Sequence, residues 1–178
     1  FKEFIIIEFG VKTLPPLLFF ILGTLRYFTI KDYAVGHCKY SNFFKAKVGI
    51  SLLVGIFDIV QTIMTVITQP NSPHASIISA CDLKWLASFY VFQAVAWFYG
   101  SWLMIMEYRR LLSEVWYANQ MFWVLNLLFS ILSIWLLYDV RPEAPFMYSV
   151  AIVNISANLV LVIFMLKTER RTLKNRRP

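Results

Sequence analysis

The chain has 178 residues, 59% of them hydrophobic and only 15% charged, well short of the roughly 25% charged residues of an average soluble domain. So few polar residues cannot cover the surface of a soluble fold this size, which excludes that class. The formal net charge of +7 would point to nucleic acid in a soluble protein; here it is expected to mark basic loops meeting anionic lipid on a cytoplasmic face, with no nucleic-acid partner.

In chain order, the opening FKEFIIIEFG carries Glu3 and Glu8 and no small-residue cleavage site, so it does not read as a signal peptide. A start at Phe1 points to a processed N-terminus or a piece of a longer polypeptide. Five apolar runs then follow, near residues 11–30, 48–68, 83–106, 121–138 and 146–166, each close to the length of about twenty residues that crosses a bilayer as a helix. Barrel strands would instead alternate polar and apolar residues in segments of about ten. Pro15 and Pro16 either start the first helix or kink one already running through FIIIEFGV. The expected fold is an all-α integral membrane protein, a five-helix transmembrane bundle over residues 1–166, with 167–178 (KTERRTLKNRRP) opening a basic cytoplasmic linker.

Basic residues orient that bundle. Arg26, Lys31, Lys39, Lys45 and Lys47, the pair Arg109–Arg110, and the six basic residues of the tail fall on one side, thirteen in all. Lys2, Lys12, Lys84 and Arg141 fall on the other. The richer side belongs in the cytoplasm, so the N-terminus is expected outside and the C-terminus inside.

Asp58, near the middle of the second run, is the sharpest candidate for chemistry, since an acid there is costly. Gln61 is one turn along the same face, and Asn126, Asn154 and Asn158 lie in the fourth and fifth runs. Together they could form a polar seam inside the bundle. That seam is either a proton or ion site, or an interhelical hydrogen-bond cluster holding helices together; the second is favoured, because no second intramembrane acid is present to build a relay. Ser51/Gly55 and Ala96/Gly100 are small-xxx-small pairs that allow close helix approach. The aromatics Trp85, Tyr90, Trp97, Tyr99 and Trp102 crowd the third run and read as interface and packing groups.

Metal binding and cofactors are not expected. His37 and Cys38 are adjacent rather than spaced as zinc ligands, and His74 and Cys81 belong to the opposite face. Asn154-Ile155-Ser156 matches a glycosylation sequon but lies inside the fifth run, out of reach of a glycan. P-loop, GxSxG and HExxH patterns are all absent from the sequence, so no catalytic role is expected.

Between the third and fourth runs, EYRRLLSEVWYANQ has helical spacing. It reads as a short amphipathic surface helix or a continuation of the third span. Glu107, Arg109, Arg110, Glu114 and Trp116, with Arg170 and Arg171 of the tail, are the candidates for docking a partner.

Glu107-Tyr108-Arg109-Arg110, then Leu112-Ser113, then Phe122-Trp123 resembles the pattern in the N-terminal accessory transmembrane domain of C-subfamily ABC transporters, the multidrug-resistance-associated and sulfonylurea-receptor type. Asp58 in GIFDIVQTI is similar to an acid of that family's second span, Pro15-Pro16 to its proline-bearing first span, and Glu169-Arg170-Arg171 to the start of its linker. Two departures stand out. Leu111-Leu112 follow the basic pair where many relatives place Gly, and the extracellular N-terminal cysteines are missing. The resemblance implies a non-catalytic domain for trafficking, docking or partner binding, attached to an ATP-driven exporter of organic anions and conjugates. Its partner would be the transporter core in cis or another membrane protein, at the plasma membrane or a vacuolar or endolysosomal membrane. The alternative is a free-standing small subunit of a larger membrane complex, such as an organellar energy-transducing one. A small carrier or intramembrane enzyme built on Asp58 is less favoured, because carriers usually pair two related halves and none is visible.

Overall fold

In a computed structural model, the chain is described over residues 2–33, 41–68, 80–111, 117–140 and 152–164. These residues are all helical apart from turns and caps, and the described part of each of the five apolar runs falls on its own helix: α1 Lys2–Ile30, α2 Asn42–Thr68, α3 Ala80–Leu111, α4 Tyr117–Val140 and α5 Ile152–Phe164. Continuous apolar side chains remove any period-2 alternation that would favour a strand, which leaves helix as the way to satisfy the backbone locally. Two helices, over Thr13–Ile30 and Ala87–Arg110, are long and apolar enough to cross a membrane; Ala118–Leu132 and Ile152–Phe164 are shorter apolar helices.

The two prolines of α1 do not start it. The helix runs from Lys2 straight through Pro15 and Pro16, both buried. Each proline leaves the carbonyl four residues earlier without its helical donor. At the start of α2, Ser41 is the cap: its hydroxyl accepts from the Phe44 amide at 3.1 Å, an arrangement worth about 1 kcal/mol.

α3 is the central helix. It packs against α2 on one side and α1 on another, while α4 lies against α1. Paired contacts give the directions. Arg26 and Ile30 of α1 meet Glu107 and Arg110 of α3, so these two run parallel. Phe44 meets Tyr108 and Gly55 meets Trp97 and Phe98, so α2 runs against α3. Asn119 lies against Gly100 and Asn126 against Gln93, so α4 also opposes α3. α5 opposes α2, through Asp58–Asn154 and Phe43–Phe164.

Close approach is set by small residues. A methyl group at Gly23 would stand 2.7 Å from the Tyr99 ring, and one at Gly55 would stand 3.2 Å from the Trp97 Cβ. The small pairs read from the sequence sit in these seams: Ser51 and Gly55 between α2 and α3, and Ala96 and Gly100 where α3 meets Phe19. The core joins Phe19, Phe44, Val54, Ala96, Trp97, Leu103, Met104, Tyr108, Phe122, Trp123 and Leu161. Phe19 stacks on Phe122 at 4.4 Å, and Phe122 packs on Trp97 at 4.9 Å.

Outside this core, large apolar side chains face outward and polar ones are buried. α1 exposes Leu14, Leu17, Leu18, Ile21, Leu22, Leu25 and Phe28, and α2 exposes Leu53, Ile56, Phe57, Val60, Ile63 and Val66. Lys47, Ser51, Asp58, Gln61, Gln93, Ser101, Glu107, Asn119, Asn126 and Asn158 are buried.

Candidate functional site

Two polar groups lie inside the bundle, where the sequence suggested one seam. The first joins α2 and α5. The buried face of α2 repeats at helical spacing through Phe44, Lys47, Ser51, Gly55, Asp58 and Gln61; Phe44 and Gly55 on it meet α3, and Asp58 meets Asn154 of α5. Asp58 is fully buried, and its Oδ1 accepts from Asn154 Nδ2 at 3.4 Å. Asn158 Nδ2 donates to the Asn154 carbonyl one turn back at 2.8 Å. Thr62 donates its hydroxyl to the Asp58 carbonyl at 2.9 Å. Asp58, Asn154 and Asn158 thus belong to one helix pair, with Gln61 buried one turn beyond Asp58 on α2.

Asn126 belongs to a different one. Its Oδ1 accepts from Gln93 Nε2 at 3.3 Å, across the α3–α4 contact. Gln93 was not singled out from the sequence, although a lone amide among the aromatics of the third run was a usable signal. Asn119 lies two turns before Asn126 on the same buried face of α4, with its Oδ1 3.3 Å from where a Cβ of Gly100 would stand. Of the aromatics of α3, Tyr90 and Trp97 are buried, Tyr99 is half-buried and Trp102 is exposed.

The charged cluster at the end of α3 is taken up inside the molecule. α3 continues to Leu111, so Glu107 to Leu111 extend the third helix rather than form a separate surface segment. Glu107 is 3% exposed and receives both Arg26 Nε at 3.0 Å and Arg26 Nη2 at 2.6 Å on one carboxylate oxygen. Arg110 donates to the Ile30 carbonyl at 2.8 Å and to the Lys31 carbonyl. α1 has no basic residue in its own last turn, so Arg110 supplies from α3 the cation that its negative end favours. Arg109 points outward, exposed. Tyr108 is buried with its ring 4.2 Å from that of Phe44, and Phe122 and Trp123 lie in the core. Glu114, Trp116, Arg170, Arg171, the Leu112-Ser113 pair, the linker 167–178 and the residues His37, Cys38 and His74 lie outside the described residues, as does the side chain of Cys81.

Among the described residues, no group of three His, Cys, Asp or Glu side chains is placed to hold a metal ion. The chain matches no known protein-family model, no curated protein and no solved structure.

Proposed function

We propose that the chain is a five-span accessory membrane domain of the type attached to C-subfamily ABC exporters, threaded with its N-terminus outside and its C-terminus in the cytoplasm. It has no catalytic role of its own, and its work is to retain or traffic the transporter and to dock its core or a neighbouring membrane protein. The observation that carries this reading is the end of α3. The residues that bear the resemblance gather there in mutual support: Glu107 holds Arg26, Arg110 caps α1, Tyr108 packs on Phe44, and Phe122 and Trp123 fill the core below. Such a charged knot fixes the geometry of the face from which the loop after α3 departs.

Two further features support the bilayer part of the reading. The outward faces of α1, α2, α4 and α5 are lined by large apolar side chains, far beyond the scattered exposed hydrophobes of a soluble monomer. The C-terminal ends of α1 and α3 and the N-terminal end of α2 lie together, and this end carries Arg26, Lys31, Lys45, Arg109 and Arg110, as a cytoplasmic face requires. Arg109, which is exposed, and Glu114, Trp116, Arg170 and Arg171 are the residues proposed to contact the core or linker.

Two measurements test the proposal. Mass spectrometry of the native polypeptide is expected to find it longer than these 178 residues, with a nucleotide-binding core; a mature species of this length contradicts it. Deleting residues 1–166 from the intact transporter is expected to leave ATP-driven conjugate export per molecule unchanged while reducing the amount that reaches its membrane. Loss of ATP-driven export in correctly placed protein contradicts the accessory role.

A further inference from the structure

Six aromatic rings run in an unbroken strip along the α1–α3 seam. Phe92 meets Phe20 at 5.3 Å between ring centres, Phe20 meets Tyr99 at 5.3 Å, and Tyr99 meets Trp102 at 5.8 Å. Trp102 then meets Tyr27 at 5.4 Å, and Tyr27 meets Phe28 at 5.8 Å. The strip ends on a cation, with the Lys31 ammonium 5.2 Å from the centre of the Phe28 ring. The Arg110 guanidinium reaches the same corner and donates to the Lys31 carbonyl. Trp102 is 43% and Phe28 56% exposed, Lys31 is exposed and the other four rings are half-buried, so the strip opens outward rather than into the core. Phe20 and Lys31 are eleven residues apart, about 16 Å at the helical rise. That is the depth of one leaflet of a hydrocarbon core about 30 Å thick.

We propose that this strip seats one acidic phospholipid of the cytoplasmic leaflet, its headgroup at Lys31 and Arg110 and an acyl chain along the rings. Charge selects the occupant. Arg26 and Glu107 neutralise each other, and the exposed Asp32 offsets only one of the two cations Lys31 and Arg110. The corner therefore keeps a net positive charge, which an anionic headgroup meets. A zwitterionic lipid brings no net charge to it, and a sterol brings only a hydroxyl. A lysine lying over a ring at the edge of an apolar face keeps its stem against that face and its charge at headgroup level. The rings hold one another in place, so an acyl chain gains contact without having to order the groove first. This inference rests on the bilayer part of the function proposed above and needs nothing of the transporter.

The test is photocrosslinking of the intact polypeptide in phosphatidylcholine nanodiscs that contain a small fraction of phosphatidylserine with a diazirine in its acyl chain, mapped by peptide mass spectrometry. Labels are expected on residues 24–28 and 99–106, and unlabelled phosphatidylserine is expected to displace them several-fold more effectively than added phosphatidylcholine or cholesterol. Lys31→Gln, at an exposed position, is expected to fold normally and to cut that preference several-fold. Equal displacement by phosphatidylcholine or cholesterol, or a preference unchanged in Lys31→Gln, overturns the proposal. Labelling of the outward face of α2, over residues 53–66, with none on the strip overturns the site alone. If a diazirine phosphatidylcholine labels neither face, the bilayer reading falls with it.

Discussion

Glu107 and Arg26 are 81 positions apart in the chain and meet at 2.6 Å. Removing one member of such a pair strands the other charge. Glu107→Gln is therefore expected to lower stability by about 2 kcal/mol, toward the low end for a buried pair because Arg26 is a third exposed and can turn to water. Replacing both together, Arg26→Met with Glu107→Leu, is expected to restore much of that loss. Thermal unfolding of Arg26→Met, Glu107→Leu and the double variant checks this, and a loss in the double variant equal to the sum of the two single losses would show that the pair carries no coupling. At this scale the sequence announced individual residues but not their partners. Asp58 was visible because an acid interrupts a long apolar run, and Asn154 and Asn158 because they repeat one turn apart. The pairing of Asn126 with Gln93 rather than with Asp58 depends on which helices touch, which spacing along a single run does not specify. Glu107 and Arg110 read as surface groups because their run is charged; across the helix gap each has a mate, and that mate is on α1.

The helices themselves were legible because continuous apolarity over about twenty residues leaves few alternatives. Their ends were less so. α3 extends from Ala80 to Leu111 because helical hydrogen bonding does not stop where hydrophobicity does, and the Glu107–Arg110 turn continues it. The sequence also left open whether Pro15 and Pro16 begin α1, and the helix runs through them. Helix approach gives a paired prediction. Gly55→Ala places a methyl 3.2 Å from the Cβ of Trp97, itself 1% exposed and unable to retreat, whereas nothing lies within 4 Å of a methyl at Gly49. Gly55→Ala is expected to destabilise by about 1–3 kcal/mol, and Gly49→Ala to stabilise by up to about 1 kcal/mol through helix propensity. Unfolding midpoints of the two variants compare them directly; a neutral Gly55→Ala would mean that α2 and α3 are not held at this separation.

For the whole molecule, the sorting of side chains is the decisive feature: large aliphatic side chains line the outward faces of the helices, while amides, Asp58 and Glu107 are buried beside an aromatic core. Composition foretold that sorting, whereas the central place of α3 was not legible, since its neighbours are chosen by Gly23, Gly55 and Gly100 meeting aromatic rings on other helices. The consecutive helices contact one another with alternating direction wherever their pairing is described, which for an odd number of crossings carries the two termini to opposite faces. The most direct test places one epitope ahead of residue 1 and another directly after residue 178 of the intact polypeptide, in sealed vesicles with the extracellular face outward. Externally added protease is expected to remove the N-terminal epitope at once and the C-terminal one only after the vesicles are opened. Digestion of both epitopes in sealed vesicles, or of neither, would contradict the five-crossing arrangement.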